Sequence, residues 1–453
     1  MSLPTVPSVT RSRRALLKQL GALGGSAWLG SLATSPAAAA PTLMLSNALL
    51  HPLVQAPIPN GRLLIENGRI AAIGGPQLQA PSHAKLLDLQ GQHVYPGLIS
   101  PISALGLVEI NAVQATVDSS EVGELNPNAR AVVAVNADSE LIAVARSGGV
   151  LTVHTAPRTA PGGLMAGTSA LLQLDGWHWE QMALVPELAL HIHMPAARTP
   201  ESMFGDNSAP RAQQQRVAQQ RLRQLDEAFA LARAYAQARA VDPKLPIDSR
   251  WEALRSCFAA DPQARRPVWA RADDRLQIRH ALELAQRHEL RLVLVGGAEA
   301  ALFASTLRTR QIPVVVAQVN RLPLRRDDPV DTLWRLPASL AEAGVSFCIG
   351  MSGSEGHAAN ERNLAFEAGR ATAHGLSADE ALKAITLYPA QILGVSDRLG
   401  SLQVGCLASL FVSSGSPLDI RSEVLRTFVQ GRELPMDNRH TRLRDRYEER
   451  LRR

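Results

Sequence analysis

Apolar and polar positions follow two different rhythms along the chain. In residues 42–95 short apolar runs are broken by turn residues, and in 63–73 Asn67-Gly68 separates two such runs, the strongest short hairpin signal. Similar runs return in 400–412 and 424–429, the latter followed by Gln430-Gly431 as a turn. These distant β segments are expected to join into one small β domain. Between them, strand-like runs at 149–154, 291–297, 312–316 and 345–350 alternate with helical spacing at 276–288 and 337–343. That alternation predicts an α/β fold with a parallel sheet covered by helices, and over this length a closed barrel fits. Residues 213–240 read as a long Ala/Gln/Arg-rich helix inserted midway, and 439–453 as a charged surface helix.

The first forty residues follow neither rhythm. Ser12-Arg13-Arg14-Ala15-Leu16-Leu17-Lys18 precedes a Gly-rich apolar stretch at 20–32, and Ser35-Pro36-Ala37-Ala38-Ala39-Ala40 offers small residues for cleavage. This resembles the twin-arginine export signal, so a periplasmic protein that meets the membrane only during export is expected. The apolar stretch is too short and too Gly-rich for a good anchor.

Charge then changes the picture less than its total implies. The formal net charge is +6, but residues 1–40 carry +4 and residues 421–453 another +4, leaving the centre at −2. The basic excess sits at the two ends, so no nucleic-acid partner is expected. Cys257, Cys348 and Cys406 are far apart and form no C-x-x-C, so they give no disulfide framework and read as buried and inert. The glycines of 162–167 and 350–356 lack the Lys-Ser/Thr of a phosphate loop.

Several blocks resemble the amidohydrolase superfamily, in particular its exported imidazolonepropionase-like members. They are Tyr95-Pro96-Gly97-Leu98-Ile99, Leu105-Gly106-Leu107-Val108-Glu109-Ile110, Arg271-Ala272-Asp273-Asp274, Asn363-Leu364-Ala365-Phe366-Glu367-Ala368, Ala381-Leu382-Lys383-Ala384-Ile385-Thr386, Pro389-Ala390 and Leu399-Gly400-Ser401-Leu402. The resemblance implies a (β/α)8 TIM-like barrel with a composite β-sandwich made from both terminal segments. Its organisation would be a signal at 1–40, sandwich at 41–95, barrel at 96–396 with an inserted helix at 211–240, sandwich again at 397–436, and a charged tail at 437–453.

The same resemblance implies a divalent metal at the barrel mouth, with imidazole donors and a carboxylate that takes the proton of the activated water. The positions that should carry them are degenerate. Ile102 and Ala104 stand where the first His-x-His belongs, Ala270 and Gly296 where two later histidines belong, and Ser352 where the catalytic Asp belongs. A carboxylated lysine bridging two metals is not expected from Lys85, Lys244 or Lys383, none of which suits a strand end.

Other residues are candidates for a remodelled site. His191-Ile192-His193 is the one His-x-His; at strand spacing its imidazoles share a face, which suits a common metal but equally two histidines on an exposed strand face. His154 closes a predicted strand, as a ligand or a hydrogen-bonded structural residue. Arg271, Asp273 and Asp274 open a helix and fit either its N-terminal electrostatics or the grip on a carboxylate substrate. Glu299 begins the next helix, and Glu355 with His357 lies in a polar loop that could do acid–base work.

Three functions follow. The first is a binding or partner-stabilising pseudoenzyme, pairing with a metal-loaded paralogue or with itself, and needing no cofactor. The second is a hydrolase of C–N bonds in amides or peptides using a single divalent metal such as zinc on a remodelled site. A metal-free lyase or isomerase with an Arg/Asp/Glu pocket is the third.

Overall fold

In this computed structural model, which describes residues 42–196 and 210–452, both predicted hairpin turns form. Asn67 and Gly68 both have positive φ (50° and 76°), the backbone twist that matches two antiparallel strands, here Ile58–Glu66 and Arg69–Gly74. Gln430 and Gly431 (φ 47° and 74°) turn Val424–Val429 into Arg432–Leu434 in the same way. The two turns meet so closely that a Cβ on Gly68 would lie 2.9 Å from the Gln430 carbonyl. Leu410–Ser413 pairs antiparallel with both Val424–Val429 and His93–Pro96, and His93–Pro96 runs parallel to Leu43–Leu50. The two ends of the chain therefore build one eight-stranded sheet over a core that includes Leu45, Leu63, Ile65, Val94, Leu410 and Phe428. Among the described residues, the ladders of this region define that sheet alone; the export-signal segment 1–40 lies outside the described residues.

The central α/β region holds a six-stranded sheet in the order Met165–Thr168, Leu190–His193, Val268–Ala272, Leu292–Gly296, Val314–Ala317, Phe347–Gly350. The last five are parallel neighbours, and their near-continuous apolar runs reflect burial on both faces. A four-stranded sheet contains Leu98–Ser103, Val150–Thr155, Ala170–Gln173 and Ala183–Val185. The two sheets share one extended stretch, interrupted only at Ser169. Met165–Thr168 runs antiparallel to Leu190–His193, and Ala170–Gln173 antiparallel to Val150–Thr155. On the opposite side Phe347–Gly350 abuts Leu98–Ser103 without a ladder. A Cβ on Gly350 would lie 2.9 Å from Pro101 Cγ, while Ile385 O accepts from Ile99 N and Ala384 O from Ile349 N, each at 2.9 Å.

The ladders thus give two sheets with one reversed strand, where a single closed parallel ladder was expected. The reversal has a simple cause: the chain from Thr155 to Met165 is too short for the crossover that a parallel neighbour needs. Some boundaries also shift. The inserted helix spans Arg211–Val241 and the tail helix Arg439–Leu451. The helix expected from 337 begins at Thr332, because the buried stripe Leu333, Leu336, Leu340 carries it through Pro337. Among the described residues no helix is long and apolar enough to cross a membrane. Cys257, Cys348 and Cys406 are free and buried, and burial holds the Cys348 thiol well above the usual range.

Side chains alternate between two clusters along each parallel strand. Trp269, Val293, Val295, Val315 and Cys348 join Ile99, Ile102 and Leu171 in an inner cluster. Ile192, Ala270, Leu294 and Val314 instead pack outward with the covering helices.

Candidate functional site

Strand register builds the site. His191 pairs with Trp269 and His193 with Arg271, and these neighbours lie beside Val293 and Val295. Period two therefore puts both histidines, Trp269 and Arg271 on the inner face, at the ends of the parallel strands. A narrow cleft there is lined by Ile102, Arg158, His191, His193, Trp269 and Arg271, among others. The exposed-face alternative for the His-x-His does not hold, because its strand is interior to the six-stranded sheet and His191 is only 5% exposed. Of the positions where the resemblance implies metal ligands, Ile102 lines the cleft. Ala104 is buried beyond the strand end in the outer cluster, and Ala270 also packs outward. Gly296 has φ 102° and no room for a side chain, since a Cβ would lie 2.6 Å from Asp273 Oδ1. The cleft-facing residues of those two strands are Trp269, Arg271 and Val295.

His154 is fully buried beside this face, with its ring centroid 4.4 Å from that of Trp269 in an edge-on contact and 5.2 Å from that of His191. Its Nδ1 lies 2.8 Å from Pro101 O and its Nε2 2.6 Å from Ser169 Oγ. Burial lowers its pKa to about 4, so the ring is neutral. Because the carbonyl can only accept, Nδ1 carries the hydrogen, and the single Ser169 hydroxyl hydrogen is shared between two acceptors, Nε2 and Ala189 O at 3.1 Å. This depressed pKa makes the fold less stable as pH falls from the unfolded value near 6.5 through about 4, since the unfolded chain then binds the extra proton. We expect His154→Gln to show a shallower loss of melting temperature over that acid range than the parent; an identical acid profile would refute the assignment.

Two guanidiniums dominate the mouth. Arg271 donates to Ser352 O at 3.0 Å and Arg158 to Gly353 O at 3.2 Å, so together they hold the loop that follows Phe347–Gly350. Burial, then repulsion from Arg158, pushes Arg271 down to about 9. Burial also keeps His191 and His193 neutral, reinforced for His191 by His154 and Arg271 and for His193 by Arg271 and Arg158. His193 Nδ1 lies 2.9 Å from Thr159 Oγ1.

The acidic candidates are engaged elsewhere. Asp273 is paired with Arg321 at 2.5 Å. Asp274 caps the helix Arg275–Arg287 in a reciprocal box with Gln277. Glu299 accepts from Arg275 N at 2.6 Å and from Arg325 at 2.7 Å. Glu355 accepts from the Ser119 hydroxyl, and His357 Nδ1 sits 2.9 Å from Ser352 Oγ and 2.7 Å from Ser354 Oγ. The structure therefore gathers His154, His191, His193 and Arg271 around the inner face, and keeps Asp273, Asp274 and Glu299 in ion pairs and a helix cap.

These residues do not fit the divalent metal that the resemblance implies. Two imidazoles share the face, but the nearest charged groups are guanidiniums, which repel a cation and offer it no lone pair. Among the described residues no group of three or more His, Cys, Asp or Glu is placed to hold a metal ion.

Sequence reasoning missed Arg158, Trp269, Ser169 and Glu361. Glu361 is 1% exposed; its Oε1 accepts from Ser103 Oγ at 2.6 Å, its Oε2 has no partner, and burial raises its pKa to about 7. An acid two residues before the Asn363-Leu364 block was the available signal, and nothing in spacing distinguishes Arg158 from a surface arginine.

The Amidohydrolase family matches residues 316–434. Amidohydrolase tasK of Hapsidospora irregularis is 22% identical over 400 residues, covering 82% of this chain but 39% of its own, so the chain spans about two fifths of that relative. An amidohydrolase from Thermotoga maritima superposes with a TM-score of 0.74 at 23% identity, covering 87% of this chain and 99% of its own. A prolidase solved with N-methylphosphonate-L-proline gives a TM-score of 0.51 at 17% identity over 87% of this chain and 99% of its own. The chain thus resembles the Amidohydrolase family over residues 316–434 and shares its overall fold with these solved structures.

Proposed function

We propose that this chain is an exported amidohydrolase-superfamily protein of the imidazolonepropionase-like subgroup that works as a binding or partner-stabilising pseudoenzyme. In this reading the two central sheets serve as the wall of one barrel, and the cleft at their strand ends replaces the metal centre. The observation that carries it is the pair Arg158 and Arg271, which puts fixed positive charge where a hydrolytic cation would need donors. A metal-loaded paralogue or a second copy of the chain is the partner we would seek.

A second reading keeps the chain as a C–N hydrolase with one metal on His191 and His193. It draws on the buried His191 Nε2, which has no hydrogen-bond partner. Metal analysis of the purified protein separates the two. We expect far less than stoichiometric zinc, manganese or iron, and no change when His191 and His193 are both replaced by alanine. Near-stoichiometric metal that disappears in that double variant would overturn the pseudoenzyme reading.

A further inference from the structure

We propose that the cleft binds the carboxylate of a small organic acid, gripped by Arg158 and Arg271, with the organic body in the adjoining cavity. This deepens the pseudoenzyme reading and rests on it.

The cleft is a site for negative charge that its own residues do not supply. Neither Arg158 nor Arg271 has a carboxylate within ion-pair distance among the described residues; each is bonded to a loop carbonyl. The nearby acids are engaged: Asp273 by Arg321, Glu299 by Arg325, and Glu355, which faces Arg158, by Ser119. Two residues lining the cleft also carry an unpaired buried ring nitrogen: Trp269 Nε1, which can only donate, and His191 Nε2, which donates in the Nε2–H tautomer. Orphaned buried donors are costly and rare, and an acceptor entering the cleft would satisfy them.

Size selects the head group and the body separately. The cleft has no room for a water-sized sphere as it stands, so a head group enters only as the guanidiniums release their loop carbonyls, and a planar carboxylate needs less displacement than a tetrahedral oxyanion. Beside it lies a cavity of about 530 Å³ that shares Arg158 and His193 with the cleft and is also lined by Arg221, Thr159 and Glu355. Arg158 stands on the boundary. Exchanging its bond to the neutral Gly353 carbonyl for one to a charged carboxylate strengthens the interaction.

The test uses the full chain, freed of metal with EDTA, at constant ionic strength. N-acetylglycine should give saturable heat in calorimetric titration and raise the melting temperature, whereas the neutral N-acetylglycinamide should do neither and inorganic phosphate should bind more weakly. Arg158→Gln, melting as cooperatively as the parent, should weaken N-acetylglycine about tenfold or more. Arg158→Lys, which keeps the charge without the fork, should fall between them. Equal binding of the amide or of phosphate, undiminished binding by both variants, or no saturable binding to the parent would each overturn the proposal. A stoichiometric metal found before EDTA would count against the pseudoenzyme reading alone, because the carboxylate titration is read on the metal-free protein.

Discussion

Trp269→Ala should lower the unfolding free energy by about 3–5 kcal/mol, seen as a lower urea midpoint with an unchanged slope. Trp269 is 1% exposed, sits in the inner cluster and packs its ring against both His154 and His191. Alanine there leaves a void lined by imidazoles and strand side chains that cannot collapse without moving the parallel strands. Trp269→Phe is the informative companion. It retains most of the packing and deletes an indole N–H that has no partner, so its cost should be small. If alanine proved as mild as phenylalanine, the inner face would not be the packed core described here.

Glu361 should make the fold lose stability as pH rises. Burial holds its carboxyl at about 7, well above the 4.5 of a free glutamate. The native state thus keeps a proton that the unfolded chain has already released. Its stabilising effect is complete below about 4.5 and fades as pH climbs through 7, an effect of roughly 3 kcal/mol across that window. In chemical denaturation between pH 4.5 and 8, the stability of the parent minus that of Glu361→Gln should fall as pH rises. The variant pays separately for placing an amide beside Ser103, so the slope rather than the absolute stability decides. A parent and variant with parallel profiles would mean that Glu361 ionises normally. The His154 effect has the opposite sign and overlaps this window between about 4.5 and 6.5, so the parent-minus-variant difference, in which the His154 contribution cancels, isolates Glu361.

The turns and the parallel strands were legible in the sequence because local chemistry specifies them. Asn67-Gly68 and Gln430-Gly431 supply the positive φ that their hairpins need, and the runs at 292–296 and 347–350 are apolar without interruption. The reversed strand was not legible. Gly162, Gly163 and Gly167 punctuate 162–168 like a loop, although a Cβ on Gly167 would lie 2.5 Å from Ala129 O, which marks it as a close backbone approach. The site was half legible. The residue types at 102, 104, 270, 296 and 352 could be read directly, but which residue of a strand faces inward depends on a register of one, and that placed Arg271 rather than Ala270 at the mouth. Arg158 could not be found at all, since its role comes from a loop that lies far away in sequence.

One pairing in the terminal sheet bears on how the molecule is made. Leu410–Ser413 covers the flank of His93–Pro96, which is synthesised long before it. Until that late segment emerges from the ribosome, the early strand has a bare row of amides and carbonyls, an adhesive template for any neighbouring chain. A stop codon ahead of Leu410 would therefore yield an aggregating polypeptide rather than a trimmed but serviceable one.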